Sequence, residues 1–87
     1  MQEQEIGKLV YLLRNIPVRK IIQALERDDF YLKRSTRSGG HIYVHIDGRI
    51  VVIHYHHSND TFKRKTLKSV LEGTLWNRND LTRLQLI

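Results

Sequence analysis

The sequence predicts an α+β domain with the order helix, three antiparallel strands, helix. The two helices cover one face of the sheet, and short helical additions stand at both termini. Three observations carry this. Val18, Ile21, Ile22 and Leu25 recur at helical spacing. Ile42, Val44 and Ile46 alternate with His41, Tyr43 and His45, as the two faces of a strand do. Asp47-Gly48, a strong hairpin signal, joins that strand to a second apolar run. The 87 residues suffice for one small domain with a thin core.

Taken in order, Ile6, Leu9, Val10 and Leu13 mark one face of an N-terminal helix. With little spare core in so short a chain, that face is expected to dock elsewhere, and a second copy, giving a homo-oligomer, is one candidate. Asn15-Ile16-Pro17 breaks this helix: Asn15 can cap, and Pro17 suits the first turn of a helix reaching about Arg27. Phe30 to Arg34 is a short extended segment, followed by strands His41 to Ile46 and Arg49 to Tyr55. A two-residue type I′ turn at Asp47-Gly48 sets Val44 against Val51 and Ile42 against Ile53, facing the core. It also sets His41 opposite His54 on an open face carrying His and Tyr. The next helix points Leu67, Val70 and Leu71 inward with Gly73 as its stop, and Asn77 caps a last helix carrying Leu81 and Leu84.

The net charge is +6 and is unevenly spread. Residues 1–29 hold five basic and five acidic side chains, whereas residues 30–87 hold ten basic against four acidic. A basic surface on a tiny domain favours a polyanion partner through steering and counterion release; solubility charge is the plainer reading. The absence of cysteine excludes disulfides, zinc ribbons and thiol nucleophiles. The longest apolar run is Ile50 to Ile53 and the start lacks signal-peptide character, so a cytoplasmic protein without a membrane span is expected.

Four features could carry chemistry. Ser38-Gly39-Gly40-His41 delivers a histidine from a turn whose glycines let a phosphate approach the backbone. Such a histidine can take a proton from an RNA 2′-hydroxyl or give one to a leaving 5′-oxygen, though a hairpin ending in a surface histidine reads the same way. His41, His45, His54, His56 and His57 form a collection that could suit a metal. There is, however, no HExxH, no cysteine and only Asp60 nearby as an acidic ligand, so no metal or other cofactor is assigned. Lys63-Arg64-Lys65-Thr66-Leu67-Lys68 places cations at a helix entrance, where they oppose the dipole; phosphate binding would offset that cost, and a solvated charged face is the alternative. Lys33, Arg34 and Arg37, interleaved with Tyr31 and Tyr43, complete a basic belt suited to RNA.

Several segments, in order and spacing, resemble the HicA-like (YcfA-like) toxin family. They are Ile16-Pro17-Val18-Arg19-Lys20-Ile21-Ile22, Leu25 to Phe30, Gly39-Gly40-His41-Ile42-Tyr43, His45-Ile46-Asp47-Gly48-Arg49, Val51-Val52-Ile53, Thr66 to Gly73 and Leu81-Thr82-Arg83-Leu84. The resemblance covers residues 16–87 and leaves 1–15 as an N-terminal extension. It implies a fold like the double-stranded-RNA-binding domain, and an mRNA-cleaving toxin of a toxin–antitoxin pair silenced by a HicB-like antitoxin. The family's functional histidine, in a Gly-Ser-His motif, falls on His41, with Gly40 in the place of the serine. Lys65 stands where a glycine is usual.

The expected reaction is metal-independent RNA cleavage. His41 acts as general acid/base, with His54, His56 or Tyr43 as the second group. Lys33, Arg34, Arg37, Gly39, Gly40, Lys63, Arg64, Lys65 and Lys68 bind the RNA. A non-catalytic double-stranded-RNA-binding module, or a family member that only binds its antitoxin, is the alternative.

Overall fold

The computed structural model describes residues 2–87, with the side chains of the first helix described from Glu5 onward; Met1 of the expected N-terminal extension lies outside the described residues. Four helices and one sheet follow in order: α1 (Gln2–Leu13), α2 (Val18–Arg27), β1 (Tyr31–Ser35), β2 (Gly40–Val44), β3 (Ile50–His54), α3 (Arg64–Thr74) and α4 (Arg78–Arg83). The sheet is antiparallel in the order β1-β2-β3. This is the expected α+β architecture.

One core runs through all four helices and strands β2 and β3. Leu13, Ile21, Leu25, Ile53, Leu67, Leu71 and Leu81 are its largest fully buried members. Leu9, Val10 and Leu13 of α1 belong to it, with α1 packed along α3. Leu9, Val10 and Leu13 of the apolar face expected to seek a second copy are therefore covered by the chain's own core, with Ile6 partly buried beside them. β1 is exposed along its whole length and carries an irregularity between Leu32 and Arg34 that bulges Lys33.

Three local expectations are corrected. Asn15 does not cap α2. Pro17 is the N-cap residue, without a side-chain hydrogen bond, and the free amides of Val18 and Arg19 donate to the carbonyls of Asp60 and Ser58 at 2.7 and 2.9 Å. Gly73 does not stop α3; Leu75 does, in the left-handed region at φ 61°. Gly73 instead lets α3 lie against β3, because a Cβ there would stand 2.6 Å from the Ile50 carbonyl oxygen.

The third correction reverses a strand. The hairpin has a three-residue loop, Ile46-Asp47-Gly48. The His45 amide donates to the Arg49 carbonyl, the Gly48 amide donates to the His45 carbonyl, and Gly48 lies at φ 100°. Asp47 locks this form by accepting from the Arg49 amide and its guanidinium. The register moves by one residue, so Tyr43 pairs with Val51, Ile42 with Val52 and Val44 with Ile50. A one-residue slip exchanges the faces of β2. Tyr43 joins Val51 and Ile53 in the core, while Ile42 and Val44 turn outward beside Ile50 and Val52. The open face is thus largely aliphatic: of the expected His and Tyr, His41 and Tyr43 lie on the other side, while His54 stands at its edge.

Candidate active site

The turn Thr36–Gly39 and the start of β2 build one wall of the site. The Gly39 amide donates to the Thr36 carbonyl, and Gly39 stands at φ 89°, which only glycine adopts freely. The Gly40 amide donates to Thr36 Oγ1 at 3.0 Å, and Thr36 Oγ1 lies 3.2 Å from Ser38 Oγ. Both glycines are also needed for space. A Cβ on Gly39 would stand 2.8 Å from the His56 ring and the Tyr55 carbonyl; one on Gly40 would stand 2.7 Å from Thr36 Oγ1 and 3.0 Å from His54 Nε2.

His41 follows, half-buried on the helix-packed side of the sheet opposite Ile53. Its ring stacks on Tyr55, with centroids 4.3 Å apart and planes within 16°. Its Nδ1 is 2.9 Å from the Gly39 carbonyl oxygen. A carbonyl only accepts, so Nδ1 carries the hydrogen and Nε2 holds the lone pair in the neutral ring. Nε2 has no hydrogen-bond partner among the described residues, and no buried side-chain nitrogen or oxygen among them lacks one, so Nε2 is within reach of solvent. The stack and the carbonyl fix the ring and aim one nitrogen outward.

The loop after β3 forms the opposite wall. His54, Tyr55, His56, Asp60, Lys63 and Thr66 border a common cavity of about 190 Å³ at the entrance to α3, where Lys63 is the N-cap residue. His56 lies against Gly39 and His54 against Gly40. His54 pairs with Gly40 and stands on the open side of the sheet, so the expected face-to-face His41–His54 pair does not form. Tyr43 is only 4% exposed, and burial, with the nearby Tyr55 and Glu26, pushes its hydroxyl up to about 12. Tyr43 therefore stays a protonated core hydroxyl near neutrality. Among the described residues, no group of three potential metal ligands comes together.

The basic residues divide. Lys63 borders the histidine cavity and Arg37 stands exposed in the Thr36–Gly39 turn. Arg64, Lys65 and Lys68 line a groove that α3 forms with Ile6, Gly7 and Val10 of α1. Lys33 and Arg34 border a depression on the open face instead. Sequence reasoning missed Tyr55, read only as the end of a strand, and Thr36. The flat aromatic that holds His41 comes from a neighbouring strand's exit, and only the true register places it there.

With this geometry in view, a family model described as the HicA toxin of bacterial toxin–antitoxin matches residues 18–74. The chain belongs to the HicA toxin family. This HicA-family chain is thereby the toxin side of a toxin–antitoxin pair, and the match spans α2 through α3, the segment that supplies His41, Tyr55, His54, His56 and Lys63. The helix α1, outside the match, belongs to the same core as the HicA segment. No match to the chain is found among curated proteins. No helix among the described residues is long and apolar enough to cross a membrane.

Proposed function

We propose that this HicA-family toxin is an endoribonuclease that cleaves mRNA without a metal, with His41 as general base. The observation that carries the reading is the held imidazole: Nδ1 tied to the Gly39 carbonyl, the ring stacked on Tyr55, and Nε2 free to accept a proton. His41 Nε2 takes the proton of an RNA 2′-hydroxyl, and the 2′-oxygen forms a bond to the adjacent phosphorus. The bond from phosphorus to the 5′-oxygen breaks, and that oxygen takes a proton from a second group. The products are a 2′,3′-cyclic phosphate and a 5′-hydroxyl end.

His56 is the preferred second group, because its ring lies against Gly39, the residue whose carbonyl holds His41; His54 approaches from the other side of the sheet. Gly39 and Gly40 let His56 and His54 close on the backbone beside His41, and Lys63 and Arg37 offset the charge that builds on the phosphate. Arg64, Lys65 and Lys68 extend the cationic track along α3, whereas Lys33 and Arg34 are left out because they border the opposite face.

The test is RNA cleavage by purified protein in excess EDTA, wild type against His41→Ala. Wild-type cleavage that falls by roughly 10²–10⁴ in the variant, the range general acid–base catalysis supplies, supports the reading. Binding without cleavage in both proteins would make the chain an RNA-binding module.

A further inference from the structure

We infer that the open face of the sheet is the docking surface for an acidic polypeptide that seats apolar side chains on an aliphatic stripe and carboxylates on Lys33 and Arg34. The stripe is contiguous. Val44 pairs directly with Ile50, Ile42 with Val52, and Tyr31 of β1 pairs with Val44 from the other side. Tyr31 and Ile50 are each 58% exposed and Val52 47%. Single exposed aliphatics are ordinary; five apolar residues joined across three strands form a patch of the kind that marks an interface. The patch is shaped as well as apolar, with a depression of about 270 Å³ lined by Lys33, Arg34, Ile42, Val44 and Ile50.

Charge selects the occupant. Lys33 and Arg34 rim the stripe and no acidic residue stands on β1, β2 or β3. A second copy seated by a two-fold axis would bring this cationic rim close to itself, in a chain already at +6. RNA would find cations but mostly aliphatic contacts in place of a stacking platform, with Tyr31 at one end of the face and His54 at its edge among the described residues. An acidic protein with an apolar strand or helix satisfies both parts, and the antitoxin of the pair is the probe for it. His54 stands on this same side against Gly40, so an occupant of the stripe abuts the histidine cluster from behind while the His41 ring lies on the other face. The stripe residues are thereby separable from His41 and His56, and His54 is the residue that borders both. The inference rests on family membership for its probe and does not depend on the ribonuclease reading.

The experiment titrates the purified antitoxin into the full chain by calorimetry. Val52→Asp, and separately Ile50→Lys, should each weaken binding by about 100-fold, the loss typical of a central apolar anchor, with thermal melting unchanged. Lys33→Glu with Arg34→Glu should weaken it by about tenfold and remove most of its salt dependence. Both apolar variants remaining folded and within about threefold of wild-type affinity would overturn the inference. So would His56→Ala weakening binding more than Val52→Asp, which would seat the antitoxin on the histidine cluster. A wild-type dimer that Val52→Asp disperses would assign the face to a second copy. Binding is read without RNA, so an inactive wild type would sink the ribonuclease reading and leave this one standing.

Discussion

The two ends of the sheet use the same residue types to opposite ends. At one end, where the hairpin turns, Asp28 is 8% exposed and accepts from Trp76 Nε1 at 2.8 Å, from Arg83 at 2.7 Å and from Arg49 at 3.3 Å. Arg49 also donates to the Thr74 carbonyl and to Asp47, and Arg83 to Asp80. His45 packs its edge on Phe30, with centroids 5.1 Å apart, and its Nδ1 accepts from the Asp47 amide. At the other end the side chains of Lys63, His54 and His56 have no hydrogen-bond or ion-pair partner among the described residues, and His41 uses one ring nitrogen of two. One end ties α2, the hairpin, the exit of α3 and α4 together. The other leaves donors and acceptors for something outside the chain. What separates structural from chemical charge here is whether the partner is already present.

Substitutions at the two ends should therefore fail differently. The largest stability effect is expected from Asp28→Ala, which leaves Trp76 Nε1 without its acceptor and takes one acceptor from each of two guanidiniums; about 3 kcal/mol should be lost in urea unfolding. A loss under about 1 kcal/mol would break the comparison, because Asp28 would then be no hub.

Gly73→Ala comes next. Its methyl meets the Ile50 carbonyl, so α3 must shift away from β3 at roughly 1–3 kcal/mol, measurable as a lowered Tm. Gly40→Ser should cost less, since Thr36 and His54 can turn aside, and it should perturb cleavage more than melting. Tyr55→Leu should lose the His41 stack, about 0.5–1.5 kcal/mol, and lower cleavage without abolishing it. Lys63→Ala with Lys65→Ala should leave melting nearly unchanged while flattening the salt dependence of RNA affinity by one to two ion equivalents of roughly 0.7–0.9 each.

Acid titration sharpens the contrast. Burial alone would raise the Asp28 carboxyl, but the Trp76 and Arg83 hydrogen bonds and the Arg83 and Arg49 charges outweigh it and hold it below its ordinary value. A carboxyl lowered in the folded state gives stability that is complete above the unfolded carboxylate range, about pH 4, and is lost as pH falls through the folded value. Wild type should lose stability below about pH 4 more steeply than Asp28→Asn.

Much of this was legible in the chain. The helical stripe of α2, Asn77 as the cap of α4 and the α3 core positions follow from spacing and residue type. His41 at the start of a strand follows too, but not the face it occupies. The face of β2 did not, because Asp47-Gly48 serves two hairpin lengths and the choice depends on side-chain bonds from Asp47 and on burying the Tyr43 ring. The Asp28 hub joins residues 55 positions apart and leaves no periodic mark. Tyr55 was invisible as a support for His41 for the same reason: the reading of which residue backs the imidazole changes with a single step of register. Gly73 looked like a stop because glycine often ends helices, while its role is set by a carbonyl on another element.

The segment bearing His56 also finishes the start of α2, since the Val18 and Arg19 amides donate to the Asp60 and Ser58 carbonyls and the Arg19 guanidinium reaches Asn59 Oδ1 at 2.8 Å. Those two amides are built-in reporters of the loop that carries His56. Any ligand that pulls residues 56–60 away must unprotect them, so their hydrogen-exchange rates register events at the histidines from the first turn of α2.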